Sequence, residues 1–597
     1  MLPGFKNIPA QSSITVKEFG GINTTESYKV GELINCTNIV SSSKPALATR
    51  KKRRLASECK GTINGAGSYN GVFYTFYTPE TNDLYLHFKG NDYIFTKFSN
   101  YPDVTAKRRF AALENCITVI PDNIIFHTDS CTFEPVDITQ TVAFADAKEK
   151  FNAETNGIPT MDFASKNALG FLSHNSIEAA SAKYYSGGQV LDFYFFEYNN
   201  FIKEGDVVNI KLDVVATNAT AGDEYSNYYN RMKTGFSAKV KSVERISHKS
   251  NLGYVNENIS LIFDDNTIDM GGYDEVYFKN IVIERKMPSA KDITSFNNRL
   301  WAVSKNRVYA SKLGEADEWN DFSVDSYGTL PTSCFSAAAG SEGDFTAIIP
   351  HGNFIYALKE NYIHKIYGDT PDEFAISGME APGLVGNPDT ACVCGVNLMY
   401  ASHRGVYALR DGYPRIVSEK IGEINPVCAA SCGNKYYIVC SKGLSRVIYV
   451  YDIDRDMWTM ENCAPDGDNL CTFGKNLYYS TGGKLICLVG DEGDEYEKNT
   501  SWDFCLRFDS GYFSPGTSIR AIAGIALGEN ASFTVRALYD DDTRGAICGF
   551  CFDETANGSA NLRLPIKRDL GFYLVFKGIG DFTLKNIKFN YYKSDME

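Results

Sequence analysis

The 597-residue sequence lacks long apolar segments and is poor in histidine. No apolar run reaches the length of about 18 residues that a membrane-spanning helix needs. The start of the chain, beginning Met1 and Leu2, has no basic stretch followed by an apolar stretch, so no secretory signal is predicted. Acidic residues outnumber basic ones, 73 to 59, which gives a net charge of -14. This balance argues against a general nucleic-acid binder, because phosphate binding needs clustered cations, but it leaves room for a locally basic channel.

The familiar catalytic motifs are also absent: there is no GxSxG elbow, no P-loop and no HExxH. We therefore assign no catalytic, cofactor-binding or metal-binding residue, and we expect a protein that is not an enzyme. Cys548 and Cys551 form a lone CxxC pair, and a zinc site would need a second pair at compatible spacing. The role of this pair stays open.

Two further patterns favour structural interpretations. The alternating aspartates at 452, 454 and 456 resemble the start of a calcium loop, but Met457 and Cys463 stand where that loop needs glycine and glutamate. We therefore favour a strand end and a turn. His364 lies in a strand-like apolar segment, where a structural or solvent-facing histidine is expected rather than a ligand.

Aromatic residues and glycines are plentiful, and they recur in a pattern. The sequence holds 37 Tyr, 38 Phe and 50 Gly, which suits short pleated strands joined by tight turns. One unit repeats at intervals of about 40 residues: an apolar strand, a Gly or Asn turn and a Tyr-rich strand. Five units cover residues 296–311, 352–368, 395–409, 434–452 and 474–488, and similar hairpins cover 74–88 and 116–127.

This repeat predicts an all-β fold with a β-propeller-like core. A small sheet that is apolar on both faces can bury them only between neighbours, and radial stacking of blades does so. The rhythm breaks in the middle of the chain and again near its end. We predict propeller blades over 1–149, an inserted β-barrel or β-sandwich over 150–288, the remaining blades over 289–490, and a linker with a C-terminal β-sandwich over 491–597.

The cysteines lie mostly in apolar strand-like runs, as at Cys392 and Cys394. Sixteen such residues in this length are a modest density, and their surroundings predict reduced, buried thiols in a protein made in a cytoplasm.

The strongest charge cluster is the run Arg50, Lys51, Lys52, Arg53, Arg54. Five consecutive cations suit contact with phosphate, or the wall of a channel through which DNA passes. The same run also suits a solvated edge strand that charge protects from further pairing. Both interpretations stay open at the level of the sequence.

Several segments resemble structural proteins from the virions of tailed bacteriophages. The resemblance covers most of the chain and is strongest from about 290 to 420. Its segments lie at 19–23, 44–50, 297–301, 308–314, 318–322, 343–346, 359–368 and 405–407.

These relatives form the tail hub, or nozzle, of short-tailed phages, and some are described as stabilising packaged DNA. The resemblance implies a propeller platform in a homo-oligomeric ring, six copies in the nozzle class, near the portal or adaptor. It implies synthesis in the host cytoplasm, residence in the virion tail, neighbouring tail, adaptor or portal proteins, and transient DNA contact in a channel. It carries over no catalytic residue, and it favours an ordinary strand start for Arg50 to Arg54.

Two other functions remain as alternatives. The first is a tail-tip adsorption protein that binds host surface glycans through exposed aromatic residues. The second is a hydrolase acting on cell-wall polymers, because Asp and Glu are abundant, although nothing in the sequence places two of them in one cleft.

Overall fold

Short antiparallel strands dominate the computed structural model of the chain. The described residues are 11–99, 101–143, 180–185, 188–195, 202, 204–217, 234–249, 255–263, 275–326, 328–410, 412–509, 518–539, 546–547, 558–563 and 571–592. Within these ranges, no helix combines the length and the apolar character needed to cross a membrane.

Among the described residues up to Arg285, the structure has 21 strands. Five precede the repeats: β1 (Gln11–Val16), β2 (Leu33–Thr37), β3 (Ile39–Val40), β4 (Leu47–Thr49) and β5 (Arg54–Glu58). Eight form two sheets: β6 (Gly61–Tyr69), β7 (Val72–Pro79), β8 (Tyr85–Phe88), β9 (Asn91–Ile94), β10 (Arg109–Leu113), β11 (Cys116–Ile120), β12 (Ile124–His127) and β13 (Thr132–Pro135). Eight form an insertion: β14 (Ile138–Ala143), β15 (Ala180–Tyr185), β16 (Gly188–Phe195), β17 (Val207–Thr217), β18 (Phe236–Lys239), β19 (Ser242–Lys249), β20 (Val255–Phe263) and β21 (Glu275–Arg285).

The repeats resume after the insertion. Ten strands run to residue 380: β22 (Asp292–Phe296), β23 (Arg299–Ser304), β24 (Arg307–Ala310), β25 (Val324–Asp325), β26 (Gly328–Thr329), β27 (Phe335–Ala338), β28 (Ala347–His351), β29 (Phe354–Leu358), β30 (Tyr362–Tyr367) and β31 (Ala375–Glu380). Twelve more run to residue 495: β32 (Cys392–Cys394), β33 (Asn397–Ser402), β34 (Gly405–Leu409), β35 (Arg415–Ile416), β36 (Asn425–Cys432), β37 (Lys435–Lys442), β38 (Ser445–Asp452), β39 (Met457–Asn462), β40 (Asn469–Phe473), β41 (Asn476–Thr481), β42 (Lys484–Val489) and β43 (Asp494–Glu495).

The last strands and a few short helical turns complete the elements. The strands are β44 (Ser501–Phe508), β45 (Ser518–Leu527), β46 (Ser532–Tyr539), β47 (Ala546–Ile547), β48 (Gly558–Arg563), β49 (Phe572–Ile579) and β50 (Phe582–Tyr592). The described 3-10 helices are Ser41–Ser43, Thr96–Phe98, Pro388–Thr390 and Glu419–Ile421.

Seven sheets form a propeller. Blades 1 to 6 are β6–β9, β10–β13, β22–β24 with β27, β28–β31, β32–β35 and β36–β39, and blade 7 joins β40–β42 to β5. The seven hairpins predicted from the sequence are the second and third strands of these blades. Buried apolar clusters join blade 1 to blade 2 and so on round the ring, including blade 7 to blade 1, so the propeller is closed. The all-β propeller fold predicted from the sequence is confirmed.

Blade 7 is completed by a strand from the beginning of the chain. The outer strand β5 pairs antiparallel with β42, where Glu58 lies opposite Lys484 and Arg54 opposite Cys487. The short strand β43 then pairs with the other edge of β5. Blade 7 thus contains a strand that precedes blade 1 in the sequence. Backbone hydrogen bonds between β5 and β42 therefore close the ring.

The insertion lies between the last strand of blade 2 and the first strand of blade 3. It is one sheet of eight strands in the order β18-β17-β21-β15-β16-β20-β19, with β14 also paired to β21. The long strand β21 holds this sheet together: it pairs with β17 along one edge and with β14 and β15 along the other. The described insertion therefore begins at Ile138, before the predicted border at 150.

The C-terminal strands form a two-sheet sandwich that also recruits the start of the chain. One sheet has the order β3-β4-β50-β45-β48 with β1 on β50, and the other has the order β2-β44-β49-β46-β47. Between the sheets, the rings of Trp502 and Phe582 stack with their centroids 4.3 Å apart. The sequence analysis placed 1–149 in the propeller, but residues 11–49 belong to this sandwich. Strand periodicity shows which residues pair with a neighbour, not which distant strand that neighbour is.

The sandwich rests on blade 6. The backbone N–H of Ile22 donates to the carbonyl of Trp458 (2.7 Å), and that of Asn38 donates to the carbonyl of Met460 (2.8 Å). The Ser41 hydroxyl also bonds the Asp452 carboxylate at 2.5 Å. A single buried apolar cluster runs from blades 5 and 6 into both sheets of the sandwich. Propeller and sandwich therefore share one core.

Candidate functional site: the basic segment and the propeller axis

The basic run connects strand β4 of the sandwich to strand β5 of blade 7, and two of its arginines are buried there. Arg50 is 4% exposed and donates hydrogen bonds to both carboxylate oxygens of Glu497, at 2.7 and 2.9 Å. Arg53 is 2% exposed, and its Nη2 lies 3.1 Å from the Glu461 carboxylate on β39. These contacts tie the connecting segment to blade 6 and to the chain after blade 7.

The charges in this buried cluster stabilise each other. Burial by itself lowers the pKa of Arg53, but the carboxylates of Glu461 and Glu497 raise it overall. Burial raises the pKa of Glu497, but its hydrogen bond and ion pair with Arg50 bring it below the usual value. Both arginines are therefore internal ion-pair partners, with their charge directed at protein carboxylates.

The other three cations of the run face solvent. Lys51 is exposed and forms a surface ion pair with Asp491 at 3.3 Å, Lys52 is exposed, and Arg54 donates to the carbonyl of Gly493 at 3.0 Å. The structure thus divides the predicted five-residue site. Lys51, Lys52 and Arg54 are exposed before and at the start of β5, and Arg50 and Arg53 are structural.

A second charged cluster lies on the propeller axis. Arg109, at the start of β10 in blade 2, bonds Asp292 in blade 3 through its Nε at 2.5 Å. Its Nη1 bonds Asp389, which precedes the first strand of blade 5. Blades 2 and 5 stand on opposite sides of a seven-membered ring, so this contact crosses the axis.

Lys107 extends the same cluster towards blade 7. Its Nζ lies 3.4 Å from the Asp389 carboxylate and also donates to the backbone carbonyl of Asp468, just before β40. The cluster therefore lies at the end of the ring where the innermost strands begin. It joins side chains of blades 2, 3 and 5 to the backbone just before blade 7. Ion pairs bridge the axis at that end.

The environment of each charge follows from its burial. The Asp292 side chain is fully buried, and this raises its pKa, although Arg109 and the backbone N–H groups of Ile348 and Ile293 oppose the rise. Burial also raises the pKa of Asp389, but Arg109 and Lys107 outweigh it and lower the value overall. Each of these carboxylates is engaged by cations or backbone donors of the chain.

The two minor motifs have structural partners. The carboxylate of Asp452 bonds Ser41, Arg455 and the backbone N–H of Arg455, in agreement with a strand end and turn. No group of three or more His, Cys, Asp or Glu side chains in the described ranges is placed to hold a metal ion. His364 is buried, and its Nε2 lies 2.9 Å from the Ser341 hydroxyl; burial lowers its pKa to about 4. Cys548 and Cys551 lie outside the described residues.

The sequence analysis did not single out Lys107, Arg109, Asp292 or Asp389. A signal for them exists: each lies next to or at the start of the first strand of a repeat, and all such starts meet at one end of a propeller. Their pairing across the ring was not predictable, because it depends on the number of blades.

The sequence matches no family of known proteins and no curated protein at a meaningful level. Its fold is similar to that of solved structures at low identity. An acylaminoacyl peptidase from Pyrococcus horikoshii is 9% identical over 76% of this chain, with a TM-score of 0.29, and the alignment spans only 58% of that peptidase. The β-propeller domain of the Trilobed protease from Pyrococcus furiosus is 9% identical over 73% of this chain and 99% of the domain (TM-score 0.24). An exo-β-1,3-galactanase from Phanerochaete chrysosporium is 8% identical over 89% of this chain and 100% of the galactanase (TM-score 0.16).

Proposed function

We propose that the chain is a non-enzymatic structural component of a phage tail. It is a hub or nozzle subunit that sits in a homo-oligomeric ring below the portal or adaptor and helps retain and conduct DNA. The sequence segments that resemble virion structural proteins support this role. In the structure, the support is a propeller closed by an internal strand and fused through one core to a sandwich, which makes a stiff building block.

The main structural observation behind the proposal is that ion pairs cross the propeller axis. Arg109 joins Asp292 to Asp389 across the ring, so ion pairs occupy the space through which a strand of DNA would have to thread. On this proposal DNA passes through the opening between several copies of the chain, and each propeller is a solid block in the wall. The net charge of -14 suits such a wall, because an acidic surface repels phosphates and keeps DNA from adhering.

A density map of an intact virion tests the proposal. We expect several copies of the chain around the tail axis, with DNA density between the copies and none inside a propeller. Absence of the chain from purified particles contradicts the proposal, and so does DNA density threading a propeller.

A second candidate, a tail-tip protein that binds glycans, is favoured by one groove. Next to blade 3, a groove of about 470 Å³ is lined by Tyr309, Phe322, Arg307 and Asn320, among other residues. Phe322 is 50% exposed, and sugar rings stack on exposed aromatic faces while polar neighbours bond their hydroxyls. Absence of any bound oligosaccharide on a glycan array removes this candidate.

A further inference from the structure

Blade 2 places a thiol, an imidazole and a carboxylate in a row. The sulfur of Cys116 lies 3.5 Å from Nδ1 of His127, and Nε2 of His127 lies 3.1 Å from a carboxylate oxygen of Glu134. A nucleophile, a base and a group that orients the base occur in this order in enzymes and proteins with activated cysteines. The row lies far along the blade from Arg109, the blade 2 residue that reaches the axis.

The sheet register explains why these three residues meet. Cys116, the first residue of β11, lies directly opposite His127, the last residue of β12. Glu134 on β13 lies opposite Ile125, two residues before His127, so its side chain is on the same face and diagonal to the imidazole. Three adjacent strands thus fix the row rigidly.

The charge state of the row favours a reactive sulfur. Hydrogen bonds that His127 makes to Cys116 and to Glu134 raise the pKa of His127 to about 10, against the opposing effect of burial. At neutral pH the imidazole is therefore protonated, and both of its N–H groups donate, one to the sulfur and one to the carboxylate. A cationic imidazole beside a sulfur stabilises the thiolate, which is the nucleophilic form of cysteine.

The neighbouring charges leave this arrangement intact. Arg285 on β21 approaches the second oxygen of Glu134, with 3.9 Å between its Nη2 and that oxygen. Asp129, in the turn between β12 and β13, interacts electrostatically with His127 and adds negative charge on its solvent side. Cys116 is partly exposed and the His127 side chain is 29% exposed, so small molecules can reach the row.

We propose that Cys116 is a modification site: a reactive thiol, activated by His127 and Glu134, that forms mixed disulfides with small oxidised thiols. The Cys116 thiolate attacks one sulfur of the incoming disulfide, a new sulfur–sulfur bond forms, and the old one breaks. The leaving thiolate departs with the electron pair and takes up a proton from the His127 imidazolium. One small thiol is released for each Cys116 modified. This site is independent of the proposed place in a phage tail.

The test uses the intact chain and the aromatic disulfide DTNB, with the modified cysteines identified by mass spectrometry of peptides. Cys59 is the internal reference: it is also partly buried, but its sulfur faces the Thr75 hydroxyl at 3.7 Å instead of an imidazole. At pH 6.5 we expect Cys116 to react about tenfold faster than Cys59, because the charged imidazole of His127 stabilises the attacking sulfur of Cys116, whereas burial raises the pKa of the Cys59 thiol. Equal rates for the two cysteines overturn the proposal.

Variants separate activation from simple exposure. We expect His127→Gln to slow the reaction of Cys116 about tenfold, because the amide hydrogen bonds but carries no charge. The matched control is His87→Gln, which breaks an exposed histidine–Asp92 pair in blade 1 and leaves the Cys116 rate unchanged. A Cys116 rate that is unchanged in His127→Gln contradicts the proposal.

The pH profile of the unmodified sequence decides the matter even if His127→Gln does not fold. We expect the Cys116 rate to stay within about threefold between pH 6 and pH 8, because His127 stays protonated across this range and its charge stabilises the attacking sulfur throughout. A rate that rises about tenfold per pH unit, as for an ordinary thiol in this range, overturns the proposal.

Discussion

At the scale of single residues, the structure distinguishes buried charges that stabilise the fold from exposed charges that contribute little to its stability. Arg50, Arg53 and Asp292 are almost completely buried and face opposite charges or backbone donors. Lys51 and Asp491 form their pair in solvent, with side chains 82% and 79% exposed. Both kinds of pair look alike in the sequence, but the cost of breaking them differs, because a buried charge without its partner cannot be solvated.

Asp292 offers a direct measure of this difference. We expect Asp292→Ala to lower the free energy of unfolding by about 3 to 5 kcal/mol, because Arg109 is left without its partner in blade 3 and the N–H groups of Ile293 and Ile348 lose their acceptor. Urea denaturation followed by tryptophan fluorescence measures the change. The control, Asp491→Ala, removes an exposed pair and is expected to cost less than about 1 kcal/mol. Similar losses for the two variants contradict a structural role for the axial cluster.

At the scale of elements, strand β5 has the most influence on the architecture, because it closes the ring. It contributes few buried side chains, with only Leu55 and Ala56 partly covered, and its effect comes from backbone pairing with β42 and β43. An outer strand of another blade, such as β9 in blade 1, has a similar local environment but closes nothing.

A proline in each of these outer strands separates the two roles. We expect Leu55→Pro to cost about 3 kcal/mol or more, because the ladder with Ile486 and Asp494 loses a donor and the ring opens. Hydrogen exchange is then faster throughout blades 7 and 1. In the control Ile94→Pro, we expect faster exchange within blade 1 only. If hydrogen exchange in Leu55→Pro is faster within a single blade only, as in Ile94→Pro, then β5 does not close the ring.

The elements also show what the sequence could predict. The second and third strands of all seven blades were found, because their apolar, Tyr-rich pattern with Gly or Asn turns is local. The outer strands were harder: β9 is mostly exposed and β35 has two residues, so neither carries a strong pattern. The partners of β5 and of β1–β4 were out of reach, because pairing between distant strands leaves no local signal. The same holds for the contact between Arg109 and Asp389, whereas the basic run was found but its division into buried and exposed cations was not.

At the scale of the whole molecule, propeller and sandwich act as one body because a single apolar cluster and several backbone hydrogen bonds join them. Gly21 lies in this junction. A β-carbon at Gly21 would stand 2.4 Å from the carbonyl oxygen of Trp458 and 2.6 Å from its nitrogen, too close for any side chain.

A methyl group at position 21 would therefore push the sandwich away from blade 6. We expect Gly21→Ala to lower the free energy of unfolding by about 1 to 3 kcal/mol and to speed hydrogen exchange at the amides of Ile22 and Asn38, whose bonds cross the junction. Gly340→Ala is the matched control, because a β-carbon there meets no atom within 4 Å. Unchanged exchange at Ile22 and Asn38 contradicts docking of the sandwich through this contact.

The early strands of this chain pair with strands that are synthesised several hundred residues later. Strand β5 pairs with residues 484–487, and β1 and β2 pair with strands that end at Tyr592 and Phe508. During translation, at the usual rates of elongation, these strands leave the ribosome tens of seconds before their partners exist. For that interval their edges and apolar side chains are open to wrong pairing. Production of this protein is therefore expected to depend on translation speed and on chaperones that cover nascent strands.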